Sequence, residues 1–443
     1  MNASATARID RGKAAGGHTM RRKSIGRSGG DSEGSGAQEH DRGLRPNRVA
    51  RNEDSFHRLR VITVTGTSGK TTTAWLTAAV LAEAGLRVGV LSDLGCLGLS
   101  DDVPAMSDYA RKGKLTRWLA RLAESGCTHA VVELSGRAIE AGALAGVRSD
   151  TVVITSVAQP ALAHHDDDTS LMHTPPPARS CAAAVATLVP GGVLVNGVSR
   201  RPLQRLLRAL PQDATCVTAG LSDACDVTAT PVEAGLFGRM VLAACGGQIV
   251  PLTLDPPVVP FVRDSLFALA VGSRYGIPLH LAARGIEAAG CVPGRVERLA
   301  RGQDAAVFLD MPSSGHALSS TLASLRRLTP GRLAVLVEEP LAKRLGDDEF
   351  GSIVARHCDA CVLVPATVLS DTAGEREFAA YARIDRLLGS LTGSDSALVL
   401  GDSRSGGHPS DAPEMSRFPL ATLVDGWLQL AHGLPSTAAR GAA

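Results

Sequence analysis

Apolar and polar positions along the chain follow two alternating rhythms. Short runs of β-branched and apolar residues, as buried strands require, give way to longer stretches with apolar residues at helical spacing. Arg60 to Thr65 reads as the first strand, and Thr71 to Ala84, rich in Ala, Leu and Thr, as the first helix. Strand Arg87 to Leu91, helix Gly113 to Glu124, and strands Ala130 to Leu134 and Thr151 to Val157 follow. Helix Ala178 to Leu188, strand Gly192 to Asn196, a strand-rich segment from Ala214 to Leu254, and helices Arg263 to Tyr275 and Leu279 to Ala289 complete a first domain, residues 59–290. The theme then repeats on a smaller scale over residues 291–435. Its strands are Ala305 to Leu309, Arg332 to Val337, Ala360 to Val364 and Ala397 to Leu400, and its last helix runs from about Leu420 to Ala431. Such alternation predicts an α/β protein with mostly parallel sheets, binding its ligands at the C-terminal ends of the strands. Residues 1–58 are rich in Gly, Ser and Arg and carry too few large apolar side chains to offset the entropy of ordering, so they read as a disordered tail.

Composition narrows the function classes. A hydrophobic content of 44% and 20% charged residues are ordinary for a soluble protein, and a net charge of +2 argues neither for nucleic acid nor for a membrane surface. No apolar run reaches the roughly 18 residues of a membrane span. A cytoplasmic location is expected. Nine scattered cysteines suit reduced thiols better than a disulfide framework. Cys358 and Cys361 form a C-x-x-C pair that lacks a second pair to complete a zinc site, and core packing is the expected role.

The first strand and helix are joined by Gly66-Thr67-Ser68-Gly69-Lys70-Thr71-Thr72. A glycine-bearing loop between a strand and a helix N-terminus offers unpaired N–H groups to phosphate oxygens. A lysine adds a point charge and a hydroxyl reaches Mg²⁺. Lys70 and Thr71 stand where that chemistry needs them, although Val64 occupies the first glycine position of the strict P-loop pattern, which leaves a shorter form. Glu133, at the end of its strand in Val131-Val132-Glu133-Leu134-Ser135, would bring a carboxylate to the same sheet edge as a hard oxygen ligand for Mg²⁺.

These motifs, in this order, resemble the Mur ligase family of ATP-dependent enzymes that add amino acids to the peptidoglycan precursor, and within it the diaminopimelate- or lysine-adding branch. The loop from Gly66 to Thr72 is similar to the family's nucleotide loop, and Glu133-Leu134-Ser135 to its E-x-S segment. Gly146 to Ser156 resembles the stretch that follows, with Asp150 and Thr155 kept. Pro293-Gly294-Arg295-Val296-Glu297 is similar to the P-G-R-x-E sequence that opens the C-terminal domain, and Asp310 and Lys343-Arg344 match positions beyond it. The resemblance implies a P-loop central domain, a Rossmann-like C-terminal domain, and amide formation through an acyl phosphate. ATP would sit on Gly66, Thr67, Ser68, Gly69, Lys70, Thr71 and Thr72, with Arg295 and Asp310 reaching across from the second domain. Mg²⁺ would be held by Thr71 and Glu133, and Lys70, Glu133 and Arg295 would form the catalytic set. The partners implied are a nucleotide and a small carboxylate and amine pair.

The chain also departs from the family. The histidine of its second metal site falls on Ala161, with His164, His165 and the aspartates 166–168 just beyond. The lysine that becomes carbamoylated has Arg179 as its nearest counterpart, and no lysine occurs between Lys114 and Lys343. Arginine accepts no carbamate. The family's adenine-side asparagines are replaced by Val262 and Ser265, and Ser313, Ser314 and Gly315 stand in place of its histidine, asparagine and proline. No D-N-P-R sequence for diaminopimelate appears near Pro365 to Thr372, and the first 58 residues are too polar to form the family's uridine-nucleotide domain. Two alternatives stay open: an active ligase with a different acceptor, or a catalytically degenerate paralogue that binds nucleotide and serves as a binding or regulatory protein.

Overall fold

The computed structural model describes residues 58–97, 113–157, 177–197, 204, 206–365, 375–401 and 419–432. Residues 1–57 and the stretch containing Ala161, the two histidines and the three aspartates lie outside them.

The first sheet has seven strands in the order β3-β2-β4-β1-β5-β6-β7. They are β1 (Arg60–Thr65), β2 (Val88–Ser92), β3 (Gly95–Leu97), β4 (His129–Glu133), β5 (Ser149–Ile154), β6 (Leu188–Asn196) and β7 (Thr215–Thr218). All pairs are parallel except β2 with β3. β1, β4 and β5 are buried on both faces, as a sheet covered by helices on both sides requires. The helices are α1 (Lys70–Glu83), α2 (Lys114–Glu124), α3 (Gly136–Glu140) and α4 (Pro177–Val185), joined later in the chain by α5 (Val259–Arg274) and α6 (Leu279–Ala289).

β1 lies between β4 and β5, so the chain leaves it toward one side of the sheet and later returns on the other. That reversal opens a crevice at the C-terminal ends of β1 and β5, where open α/β sheets bind ligands. Register fixes which residues meet there. Val64 is opposite Glu133 and Thr65 opposite Ile154, so the loop after β1 faces Glu133 on one flank and Thr155-Ser156 on the other.

The strand-rich segment separates from this sheet after β7. It forms an antiparallel three-stranded sheet of β8 (Val227–Gly235), β9 (Gly238–Cys245) and β10 (Gln248–Leu254). Gly246 and Gly247, both at positive φ (56° and 77°), make the two-residue turn that pairs β9 with β10.

The third sheet has the order β11-β12-β15-β13-β14: β11 (Glu297–Leu299), β12 (Ala306–Asp310), β13 (Leu333–Glu338), β14 (Ala360–Val364) and β15 (Ser396–Leu400). Its pairs are parallel except β11 with β12. Its helices are α7 (Gly315–Leu328), α8 (Glu339–Leu345), α9 (Asp347–His357), α10 (Glu375–Gly389) and α11 (Pro419–His432). The apolar core on one face of the first sheet continues through α5 to Leu318, Leu322 and Leu325 of α7 and to Phe308 of β12. Among the described residues, no helix is long and apolar enough to cross a membrane.

The C-x-x-C pair departs from expectation. Cys358 packs partly against the core, but Cys361 is exposed on β14, the edge strand of the third sheet. Burial pushes the Cys358 thiol up to about 12, so it stays protonated. Among the described residues, no group of three or more His, Cys, Asp or Glu could hold a metal ion.

Candidate nucleotide and metal site

Each side chain of the candidate site is set by a strand end or a helix start. α1 begins at Lys70 with Gly69 as its N-cap (φ 79°), which offers no side chain to close the helix start, and the first turn carries no acidic residue. The helix therefore presents free N–H groups and the positive end of its dipole. Gly66 and Gly69 are required here on steric grounds. At Gly66 (φ 143°) a Cβ would fall 2.3 Å from Thr155 Oγ1, and at Gly69 it would fall 2.3 Å from Asp264 Oδ1.

The loop is braced from β5. Thr155 Oγ1 donates to Ser68 O at 2.6 Å, Thr67 N donates to Ser156 O at 3.0 Å, and Ser156 Oγ accepts from Ser68 N at 3.0 Å. The same Oγ lies 2.8 Å from Thr67 Oγ1. Asp150, kept in the motif, serves further down the strand by accepting from Val61 N at 3.2 Å and Arg60 Nη1 at 2.5 Å.

Thr71 and Glu133 meet directly. The Thr71 hydroxyl donates to Glu133 Oε1 at 3.0 Å, and Asp93 N donates to Glu133 Oε2 at 3.0 Å. Glu133 is fully buried, and desolvation, helped by the neighbouring Asp93 carboxylate, raises it to about 7 against the opposing pull of Lys70 and Arg295. Arg295 arrives from the turn that precedes β11 of the third sheet. Its Nη2 donates to Thr71 Oγ1 at 3.0 Å and lies 3.8 Å from Asp93 Oδ2, its Nη1 donates to Met311 O, and its buried Nε has no partner. Ser313 makes a second bridge between the sheets, its Oγ donating to Thr67 O at 3.1 Å.

A cavity of about 610 Å³ opens over this arrangement, lined by Ser68 to Thr72, Asp93, Arg295, Asp310 and Ser313. The loop residues Ser68, Gly69, Lys70, Thr71 and Thr72 are thus brought together with Arg295 and Asp310. The Asp310 carboxyl faces its own unit, accepting from Val296 N at 3.3 Å, and burial lifts it to about 6. Arg179 is exposed on α4 and does not line the cavity. Lys343 pairs with Glu339 at 2.7 Å on α8, also away from it. Ser265, one of the asparagine replacements, turns back to donate to Phe261 O at 2.9 Å, and Val262 is buried in the core.

Asp264 is the residue that sequence reasoning missed. It is buried on α5 against Gly69, and desolvation raises its carboxyl well above the ordinary range despite Arg263, Arg295 and Lys70 nearby. The Thr73 hydroxyl faces it without closing a well-formed hydrogen bond. An acidic residue next to Arg263 at the start of a largely apolar helix was the available signal. Asp93 and Ser156, in loops after β2 and β5, were recognisable only as polar residues at strand ends.

Residues 64–174 match the Mur ligase middle domain. The chain is 30% identical over 330 residues to UDP-N-acetylmuramoyl-L-alanyl-D-glutamate–2,6-diaminopimelate ligase of Corynebacterium efficiens, covering 71% of this chain and 61% of that protein. It thus spans about three fifths of the length of the curated relatives it matches. Among solved structures, one of a UDP-N-acetylmuramoyl-L-alanyl-D-glutamate–2,6-diaminopimelate ligase superposes with a TM-score of 0.55 at 19% identity, covering 81% of this chain and 75% of that one. A folylpolyglutamate synthase from Thermotoga maritima gives 0.56 at 14% identity, with 80% and 88% covered. These two likenesses speak for the fold. The middle-domain match and the sequence relatives make this chain similar to the Mur ligases.

Proposed function

We propose that the chain is an ATP-dependent ligase that joins a carboxylate substrate to an amine through an acyl phosphate, in cell-wall precursor metabolism. Residues 59–290 would form the nucleotide-binding domain and residues 291–435 the domain that closes on it. The observation that carries this reading is the open N-terminus of α1, with Lys70 and Thr71 lining a cavity together with Arg295 and Asp310.

The loop N–H groups and Lys70 would bind the phosphate chain, and the loop's fixed shape would orient the terminal phosphoryl group without reorganisation. A substrate carboxylate oxygen attacks that phosphorus and ADP leaves. The amine nitrogen then attacks the acyl carbon, loses a proton, and inorganic phosphate departs. Arg295, from the turn before β11, would place a fixed positive charge at the mouth of the cavity.

The residues present fit Mg²⁺: a hydroxyl and a carboxylate in direct contact, both hard oxygen donors, already draw a cation in the form of the Arg295 guanidinium. Thr71 and Glu133 would hold the ion, which when bound neutralises charge on the transferring phosphoryl group. A second reading, a nucleotide-binding paralogue without turnover, draws on Arg179, a permanent cation at the position nearest the family's carbamoylated lysine.

Calorimetric titration of ATP with and without Mg²⁺, on the intact chain and on Lys70→Ala, tests the reading. Tight, Mg²⁺-dependent binding that the variant loses is expected. No binding to the folded intact chain would overturn it. ADP release on supplying carboxylate and amine pairs then separates the ligase from the paralogue.

A further inference from the structure

The Thr71 hydroxyl has two commitments in this structure. It donates to Glu133 Oε1 at 3.0 Å and accepts from Arg295 Nη2 at 3.0 Å. A divalent cation held by Thr71 and Glu133 would need a lone pair of that oxygen, and the guanidinium already takes one of the two. Two cations at such a distance repel each other strongly in a partly buried site.

The hold on Arg295 is also incomplete. Nη1 is satisfied by Met311 O and Nη2 by Thr71, with Asp93 Oδ2 a further 3.8 Å from Nη2, while the buried Nε has no acceptor. An arginine with an unmet donor has a reason to move when a better acceptor arrives. A phosphate chain on the α1 N-terminus is such an acceptor, because it carries several anionic oxygens in the fork geometry that guanidinium prefers.

We propose that Arg295 is a resident cation that bars free divalent metal from Thr71 and Glu133 until a nucleotide's phosphates draw it away. This rests on the nucleotide-site reading above and adds an order to it: nucleotide, or metal already on nucleotide, enters first, and metal alone is refused. The side chain then changes partners from the Thr71 hydroxyl to a phosphate oxygen, so one group serves as a plug in the empty site and as a phosphate contact in the filled one.

The test is Mn²⁺ binding, read from the loss of the free-ion paramagnetic signal, without nucleotide and then with saturating ATP. Wild type, Arg295→Gln and Arg295→Met are compared, with circular dichroism to show that each is folded. Losing a charge-assisted hydrogen bond from the competing cation should make nucleotide-free Mn²⁺ binding about tenfold tighter in both variants. Glu133→Gln on the Arg295→Gln background should abolish that gain. With ATP present the advantage should vanish or reverse. Equal or weaker nucleotide-free Mn²⁺ binding in the folded variants, with Mn²⁺·ATP binding intact in the wild type, overturns the inference alone. Absence of Mn²⁺-dependent ATP binding in the wild type overturns the nucleotide-site reading and the inference with it.

Discussion

Replacing Glu133 by Gln should change how the stability of the nucleotide-free protein depends on pH. Glu133 is completely buried and is raised from an ordinary 4.5 to about 7, chiefly by desolvation. The folded chain therefore holds this proton more tightly than the unfolded chain does. Its contribution is complete below about pH 4.5 and is lost as pH rises through about 7. At 1.36 kcal/mol per pH unit the full window is worth about 3 kcal/mol, most of which falls between pH 5 and pH 8. Gln keeps the shape of the protonated carboxyl, with one oxygen to accept from Asp93 N and an N–H to donate to the Thr71 hydroxyl, and cannot ionise. Urea unfolding at intervals from pH 5 to pH 8 should show wild type losing about 2–3 kcal/mol relative to Glu133→Gln. Asp264 and Asp310, also raised by burial, titrate in both proteins and cancel in the difference. Parallel pH curves would refute the claim that burial keeps this carboxyl protonated. Binding of Mg²⁺ at Glu133 should, for the same reason, release a proton below pH 7, which calorimetry in buffers of different ionisation enthalpy detects.

Two further substitutions probe the loop. Gly69→Ala forces a Cβ into φ 79° and to within 2.3 Å of Asp264 Oδ1, so stability should fall by about 2–4 kcal/mol in thermal or urea unfolding; a loss under 1 kcal/mol would mean the loop relaxes freely. Ser156→Ala removes the oxygen shared by Ser68 N and the Thr67 hydroxyl. Because the site is half-open, unfolding should shift by only about 1 kcal/mol while nucleotide affinity drops about tenfold; an unchanged affinity would show that the brace does not shape the loop.

Much of the site was legible because its signals are local. A β-branched strand, a glycine pair and a following lysine and hydroxyl sit within thirteen residues, Val61 to Thr73. Glu133 was readable for the same reason, as the last residue of a buried strand. What joined them was not. Arg295 lies 224 residues from Thr71, and only the family pattern, not any spacing, predicted that they would approach. Asp264 escaped because its importance comes from α5 crossing behind Gly69, a tertiary fact with no trace in periodicity. The antiparallel β8–β10 sheet did leave a signal: Gly246-Gly247 between two apolar runs marks a hairpin, which alternation with helices had obscured. α3, only five residues long, is too short for any periodic pattern to reveal.

α5 serves two masters. Along its length it packs on α1 and places Asp264 behind the loop, and at its first turn Val259 N donates to Ser324 Oγ of α7 at 2.9 Å. A change in how this one helix lies would alter the loop and the seating of the third sheet together. Substitutions on α5 are therefore poor candidates for independent inheritance: a swap that repairs one side is felt by the other. Recombination between relatives should succeed when α1, α5 and α7 travel as one block and fail when a crossover separates them.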